Sequence, residues 1–272
     1  PEQVAEVGAN LDWYAAHDPR RGRDPSLLVR QPEPLAAEGV SCAACHIRDG
    51  AILGGPGADA VGAHDVLAVD ALREPSLCRG CHEFRVPAWR NGELHLTDEP
   101  MQSTWSEWRA YADAGGEGTC QSCHMPEGRH LFHGANHLPT LQRSLAVDVQ
   151  GPRSLVLRSV GVGHHLPSGD LFRNLTVETA SEDGVFRVVH RIGRVYELVV
   201  DPESEEVVKR LAADTSLRPG EAREVVLPDS TRAWRVRFHY GAAHDEVRGL
   251  VPTEELIRVL VQGQVGRGGG GW

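Results

Sequence analysis

Residues 120–124 read Cys120-Gln121-Ser122-Cys123-His124. The same C-x-x-C-H spacing occurs twice upstream, as Cys42-Ala43-Ala44-Cys45-His46 and Cys78-Arg79-Gly80-Cys81-His82. It is the spacing of covalent c-type haem attachment. Two sulfurs add to the haem vinyl groups as thioethers. The next residue then lies under the ring, where its imidazole can bind the iron. All 6 cysteines fall inside the three motifs. A zinc reading would pair two C-x-x-C units into one thiolate site, strand the third and leave three His unexplained. A redox-disulfide reading wants one C-x-x-C in a βαβ setting, which is absent. Three haem c groups are expected, with His46, His82 and His124 as the proximal ligands.

The rest of the composition is that of a globular chain. Its 272 residues are 40% hydrophobic and 24% charged, enough for one large or two ordinary domains. No apolar run approaches the roughly 18 residues of a membrane span. The net charge of −10 argues against nucleic acid and anionic membranes, and haem propionates would make it more negative. Haem is attached to such motifs outside the cytoplasm. A periplasmic or extracellular location is therefore expected, with a signal peptide removed.

The composition changes near residue 144. Before it lie every Cys and 9 of the 14 His, with abundant Gly and Pro. Residues 1–143 are read as a loop-rich, partly helical trihaem domain in which porphyrin replaces side-chain core. Ser103 reads as the N-cap of a helix over Thr104–Ala114, ended by Gly115-Gly116. Trp105, Trp108 and Tyr111 fall on one face of it, facing haem or an ordinary core. Pro1 to Ala16 is a second helix candidate. From Ser144 the pattern becomes β. Leu145, Val147 and Val149 alternate with other residues, as do Leu175, Val177 and Thr179, and Trp234, Val236, Phe238 and Tyr240. Strand-like stretches lie near 154–160, 185–192, 194–200, 206–211 and 221–227. Turn signals separate them, Ile192-Gly193 among them. Residues 144–251 are read as an antiparallel β-sandwich. Pro252 to Gln262 reads as a short amphipathic helix, within a last segment, 252–272, that ends in a Gly-rich tail anchored by Trp272. The whole is α+β.

Each iron needs a sixth ligand. Met is scarce, with only Met101 and Met125, and Met125 follows His124 on its proximal side. Eleven His remain after the proximal three. Bis-His ligation is favoured over His/Met, which implies low potentials because Met raises them. The distal candidates are His64 in a Gly/Ala loop, His130 ahead of His137 and His133 after the third motif, His164 ahead of His165 in a Gly/Pro turn, and His17 on the N-terminal arm.

The motifs resemble those of multihaem c-type cytochromes of bacteria and archaea. The matching stretches are Cys42–Gly50, Cys78–Phe84, Met101–Trp108, Cys120–Pro126, His130–Gly134 and Gly163–Gly169, within residues 40 to 240. The resemblance implies electron carriers with closely packed haems. It places a distal ligand at His164, in a Gly-His-x-x-Pro-Thr/Ser-Gly stretch where Ser168 replaces the more usual Thr, and another at His130. Related proteins often carry four or more haems, so three here imply a truncated chain of haems or one continued by a partner.

Electron transfer is the expected function, with no separate catalytic motif in sight. The partners expected are other multihaem cytochromes or redox subunits, or further copies of the chain in an oligomer or filament. The alternative is a haem enzyme with one five-coordinate iron acting on a small nitrogen or oxygen species. The intact mass is expected to exceed that of the polypeptide by three haems, none extractable by acid–acetone. Fewer haems, or extractable haem, contradicts the motif reading.

Overall fold

The structure is a computed structural model that describes residues 40, 42–58, 65–90, 93–151, 153–200, 207–241 and 256–265. The expectations for His17, His64, the helix over Pro1–Ala16 and the tail ending at Trp272 lie outside them. The chain divides into two compact units, Pro1–Leu72 with Trp89–Leu94, and Arg73–Ala88 with His95–Trp272.

In the first unit the motif helix α1 (Ala43–His46) runs into β1 (Ile47–Arg48) and β2 (Ala51–Gly54). Arg48 pairs with Ala51. The two residues between them, Asp49 and Gly50, both have positive φ (50° and 77°). Two positive φ values in a two-residue link match the right-handed twist of a tight hairpin, and Asp-Gly tolerates them best. Strand β3 (Val66–Ala68) adds to β2 in parallel.

In the second unit, helix α2 (Ser76–His82) carries the second motif. Strands β4 (Phe84–Arg90) and β5 (Glu93–Gln102), of which Phe84–Ala88 and His95–Gln102 belong to this unit, form a two-stranded sheet. Helix α3 (Thr104–Asp113) has Ser103 at its N-cap and ends before Gly115, whose φ is +88°. The aromatic helix is thus found where the sequence places it. Helix α4 (Cys120–His124) holds the third motif. Its N-cap Thr119 makes a capping box with Ser122, which satisfies two otherwise orphaned N–H groups. A last helix, α5 (Leu138–Arg143), leads into the sheets.

Those sheets are β6 (Leu145–Val149), β7 (Ser154–Ser159), β8 (Asn174–Ala180), β9 (Phe186–Val200), β10 (Val207–Asp214), β11 (Ala222–Val226), β12 (Ala233–His239) and β13 (Ile257–Gln264). One sheet has the order β10-β9-β8-β12-β13 and the other β11-β7-β6. Period-2 alternation aims one face of each at a shared core. Leu155 and Leu157 come from β7, Val225 from β11, Leu175 and Val177 from β8, and Trp234, Val236 and Phe238 from β12. Each large side chain so buried contributes about 1.5–3 kcal/mol.

The architecture corrects the α+β expectation. Among the described residues strands account for 44% and helices for 21%, in several largely antiparallel sheets. The first half of the chain is therefore not built from loops and helices alone, since β1 to β5 lie within it. Its Gly and Pro punctuate short strands: in β4, Val86 and Ala88 are buried while Arg85 and Pro87 alternate with them. Two further readings change. The turn at Ile192-Gly193 is the interior of one 15-residue strand, β9. A Cβ on Gly193 would lie 3.0 Å from the Arg173 carbonyl oxygen and from Asn174 Cβ, so the glycine serves close backbone approach rather than a turn. The amphipathic helix over Pro252–Gln262 is instead largely β13, because Ile257 to Gln264 pairs along β12. The pairing and the burial of Leu260 outweigh a short helical pattern that has no other face to bury.

Gly263 lies opposite Trp234 in that pairing, and a Cβ there would meet the indole Cζ2 at 2.6 Å. Gly263→Val is expected to lower stability by about 1–3 kcal/mol through overpacking, read as a fall in the urea midpoint. A midpoint equal to wild type contradicts this assignment of β13.

Candidate metal centre

The first and third C-x-x-C-H motifs each form a short helix followed by backbone that folds back over its histidine. After α1, the Asp49-Gly50 hairpin returns β2, and His46 Nδ1 donates to the Leu53 carbonyl at 2.8 Å. After α4, Glu127, Gly128 and Phe132 have positive φ and wrap the chain back. Phe132 N–H then donates to the His124 carbonyl at 2.9 Å, and His124 Nδ1 donates to the His133 carbonyl at 2.8 Å. A carbonyl only accepts, so both rings carry their proton on Nδ1 and present Nε2 with its lone pair. This is how a metal-binding imidazole is normally oriented from its far side.

His164 has the same arrangement, with Nδ1 donating to the His165 carbonyl at 2.9 Å. Its ring plane lies within 8° of the His124 plane, and the ring centroids are 6.3 Å apart. A metal–imidazole bond of about 2 Å, with the ring centre roughly 1 Å behind the nitrogen, puts two axial imidazoles about 6 Å apart. The spacing and the two tied Nδ1 atoms therefore fit one metal ion ligated by His124 and His164 from opposite sides. Burial, with the fields of nearby His124, His165 and His82, pulls His164 down to about 4 against its backbone bond. A neutral imidazole is the ligating form.

The second motif is alongside. Partial desolvation, then the fields of His124 and Arg173, hold His82 below the ordinary imidazole value. The Cys78 and Cys120 thiols lie close enough to interact, which raises the one and lowers the other. Gln121 Nε2 donates to the Glu74 carbonyl at 2.7 Å. Thus α2 and α4 present their attachment sulfurs side by side. The first motif belongs to the other compact unit.

The turn that carries His164 is held by α3. Glu107 is buried there, its side chain 5% exposed. Its carboxylate accepts from the His165 N–H at 3.1 Å and the Ser168 hydroxyl at 2.6 Å. It also pairs with Arg194 of β9, whose side chain is 8% exposed. Thr104 and Ser168 hydroxyls bond at 2.8 Å, and Leu166 and Leu217 exchange backbone bonds. The peptide Leu166-Pro167 is cis. The aromatic stripe packs here too. A Cβ on Gly163 would lie 3.1 Å from the Tyr111 ring and 3.5 Å from Trp108. Trp108 Nε1 and Tyr111 Oη donate to the Gly118 and Glu117 carbonyls, and so fix the lead into the third motif.

Burial raises the Glu107 carboxyl, while Arg194, Ser168 and His165 pull it down. His165 Nδ1 stands 3.6 Å from both Glu107 and Asp214. Ligand atoms of these three side chains lie within 4.8 Å of one another. Arg194, however, already pairs with both carboxylates, so the cluster is an ion-pair network. His165 belongs to it, which separates it from His164. His130 lies exposed, with its ring edge-on to Phe132 at 6.0 Å. His133 and His137 stack at 3.7 Å, and His137 Nδ1 bonds Thr140 Oγ1 at 2.9 Å. The sequence reading missed Glu107 and Arg194. The one available signal for Glu107 was a carboxylate set into an aromatic helix face.

No protein-family model and no curated protein matches the chain. A solved structure does, a penta-heme cytochrome c552 from Thermochromatium tepidum. The TM-score is 0.56 at 20% identity, over 85% of this chain and 77% of that one. The chain shares the fold of a multihaem c-type cytochrome.

Glu107→Ala is expected to cost about 3–5 kcal/mol, because it leaves the Arg194 charge buried and unpaired, read by denaturant unfolding. A loss under about 1 kcal/mol, the range of an exposed pair, contradicts the role given to Glu107.

Proposed function

We propose that this chain is a trihaem c-type cytochrome that passes electrons between redox partners through closely spaced, low-potential haems with bis-His ligation. The observation that carries the reading is the His124–His164 pair, parallel and 6.3 Å apart at the third C-x-x-C-H motif. Cys42, Cys45, Cys78, Cys81, Cys120 and Cys123 are the attachment residues, and His46, His82 and His124 the proximal ligands. His164 is the distal partner of His124, while His130 and His64 serve the other irons, with His17 and His137 in reserve. A bound haem supplies the one-electron couple of its iron.

The chain's own residues do three things. Backbone carbonyls of Leu53, His133 and His165 fix the imidazole tautomers. The Glu107 network sets the distance of His164 from His124. The contact between Cys78 and Cys120 brings two attachment sites together, which supports short electron-transfer distances. No helix among the described residues is long and apolar enough to cross a membrane. A periplasmic or extracellular setting, with other multihaem cytochromes, redox subunits or copies of the chain as partners, completes the proposal.

His164→Ala is expected to leave three covalent haems but convert one iron to a high-spin form that binds carbon monoxide. The wild type should stay low-spin and bind none. A His164→Ala spectrum identical to wild type overturns the ligand assignment. A wild type that binds carbon monoxide favours the enzyme alternative over the electron carrier.

A further inference from the structure

Arg173 sits on the loop between the His164 turn and β8. Its guanidinium lies across that turn, with Nη1 donating to the Ser168 carbonyl at 3.3 Å. The turn is shaped to admit it: Gly169 has φ +92°, and a Cβ there would collide with the guanidinium. The Tyr240 ring supports the guanidinium carbon at 4.9 Å. Four constraints therefore hold this cation in one place: the glycine, the carbonyl, the aromatic ring and the buried strand that follows.

Among the described residues, Arg173 has no anion. The buried or half-buried Arg194, Arg223, Arg235 and Arg237 are each ion-paired with a carboxylate. Among the described residues no carboxylate lies in ion-pair range of Arg173, and its Nε is buried without a hydrogen-bond partner. A half-buried charge fixed in place without a counter-ion is unfavourable. A guanidinium is also the side chain best suited to grip a carboxylate with two parallel bonds. Arg173 is bonded across the turn that carries His164, so the missing anion belongs beside that turn.

We propose that Arg173 binds a propionate carboxylate of the haem attached at Cys120 and Cys123, the one that the proposed function pairs with His164. The inference rests on the haem reading above. The fixed cation stabilises the reduced, less positive iron, so it raises the potential of that one haem relative to the other two.

The test uses the full haem-loaded chain and a potentiometric titration followed by absorbance. Arg173→Gln is expected to keep three haems and a low-spin spectrum while one midpoint falls. The expected size is about tenfold in that haem's one-electron equilibrium, or 59 mV. Arg173→Lys keeps the charge and is expected to fall by clearly less. Should the Gln variant not fold, the Lys variant decides alone: loss of the fork still lowers the same midpoint, and three unchanged midpoints overturn the proposal. Equal falls in both variants trace the effect to packing and overturn it too. A wild-type midpoint that moves with added acetate, in a way Arg173→Gln does not, assigns the carboxylate to solution instead. Failure of the haem reading is distinguishable, because the wild-type mass would then show no covalent haem.

Discussion

The Glu107 carboxylate joins parts of the second unit that the sequence keeps far apart. It sits on α3, between the second and third motifs, and takes hydrogen bonds from the turn of His164 and an ion pair from β9. A buried pair broken on one side costs about 3–5 kcal/mol, against total stabilities of about 5–15 kcal/mol. The same carboxylate that holds the turn to the helix therefore carries much of the margin of the fold. Asp214 and His165 extend the network, and Thr104 and Ser168 close it from the other side. Aromatic packing of Trp108 and Tyr111 against Gly163 sets the height of the turn, and the polar bonds set its rotation.

From that constraint follows the one distance that matters for function. His124 is positioned by the capping box of α4 and the left-handed residues after it, all local in sequence. His164 is positioned by the sheets, through the Leu166–Leu217 bridge and Arg194. Their rings lie parallel with a metal-sized spacing only because both supports hold. In the proposed function the sheets are thus part of the redox centre. Arg173 makes the same point from charge: the loop that leads into the central strand β8 supplies a cation beside the His164 turn.

The three motifs were legible at once, because each is a fixed spacing within five residues that needs no tertiary context. So was α3, where cap, aromatic period and terminal glycines agree, and so were β7 and β12, whose alternation reflects one buried face each; β6 and β8 were also legible, although Val149 of β6 is exposed and β8 is buried throughout. His164 came from a turn motif and its family resemblance. The strands of the first half were not legible, since β1 to β5 are short and broken by Gly and Pro, and their pairing is a tertiary fact. β13 was misread because eight residues with several apolar positions fit a helix or a strand until a neighbour exists. Gly193 read as a turn for the same reason: only the approach of Arg173 and Asn174 shows why it is glycine. Glu107 and Arg194 stand 87 residues apart, and nothing in a single sequence links them.

The central claim is that His124 and His164 ligate one iron with nearly parallel ring planes. Electron paramagnetic resonance of the oxidised protein addresses it directly, because the signal of a low-spin ferric haem depends on the angle between its axial imidazoles. The account predicts at least one rhombic low-spin signal of the parallel type, in line with the 8° between these planes. A spectrum containing only high-spin signals, or only the strongly anisotropic signals of perpendicular imidazoles, would contradict it.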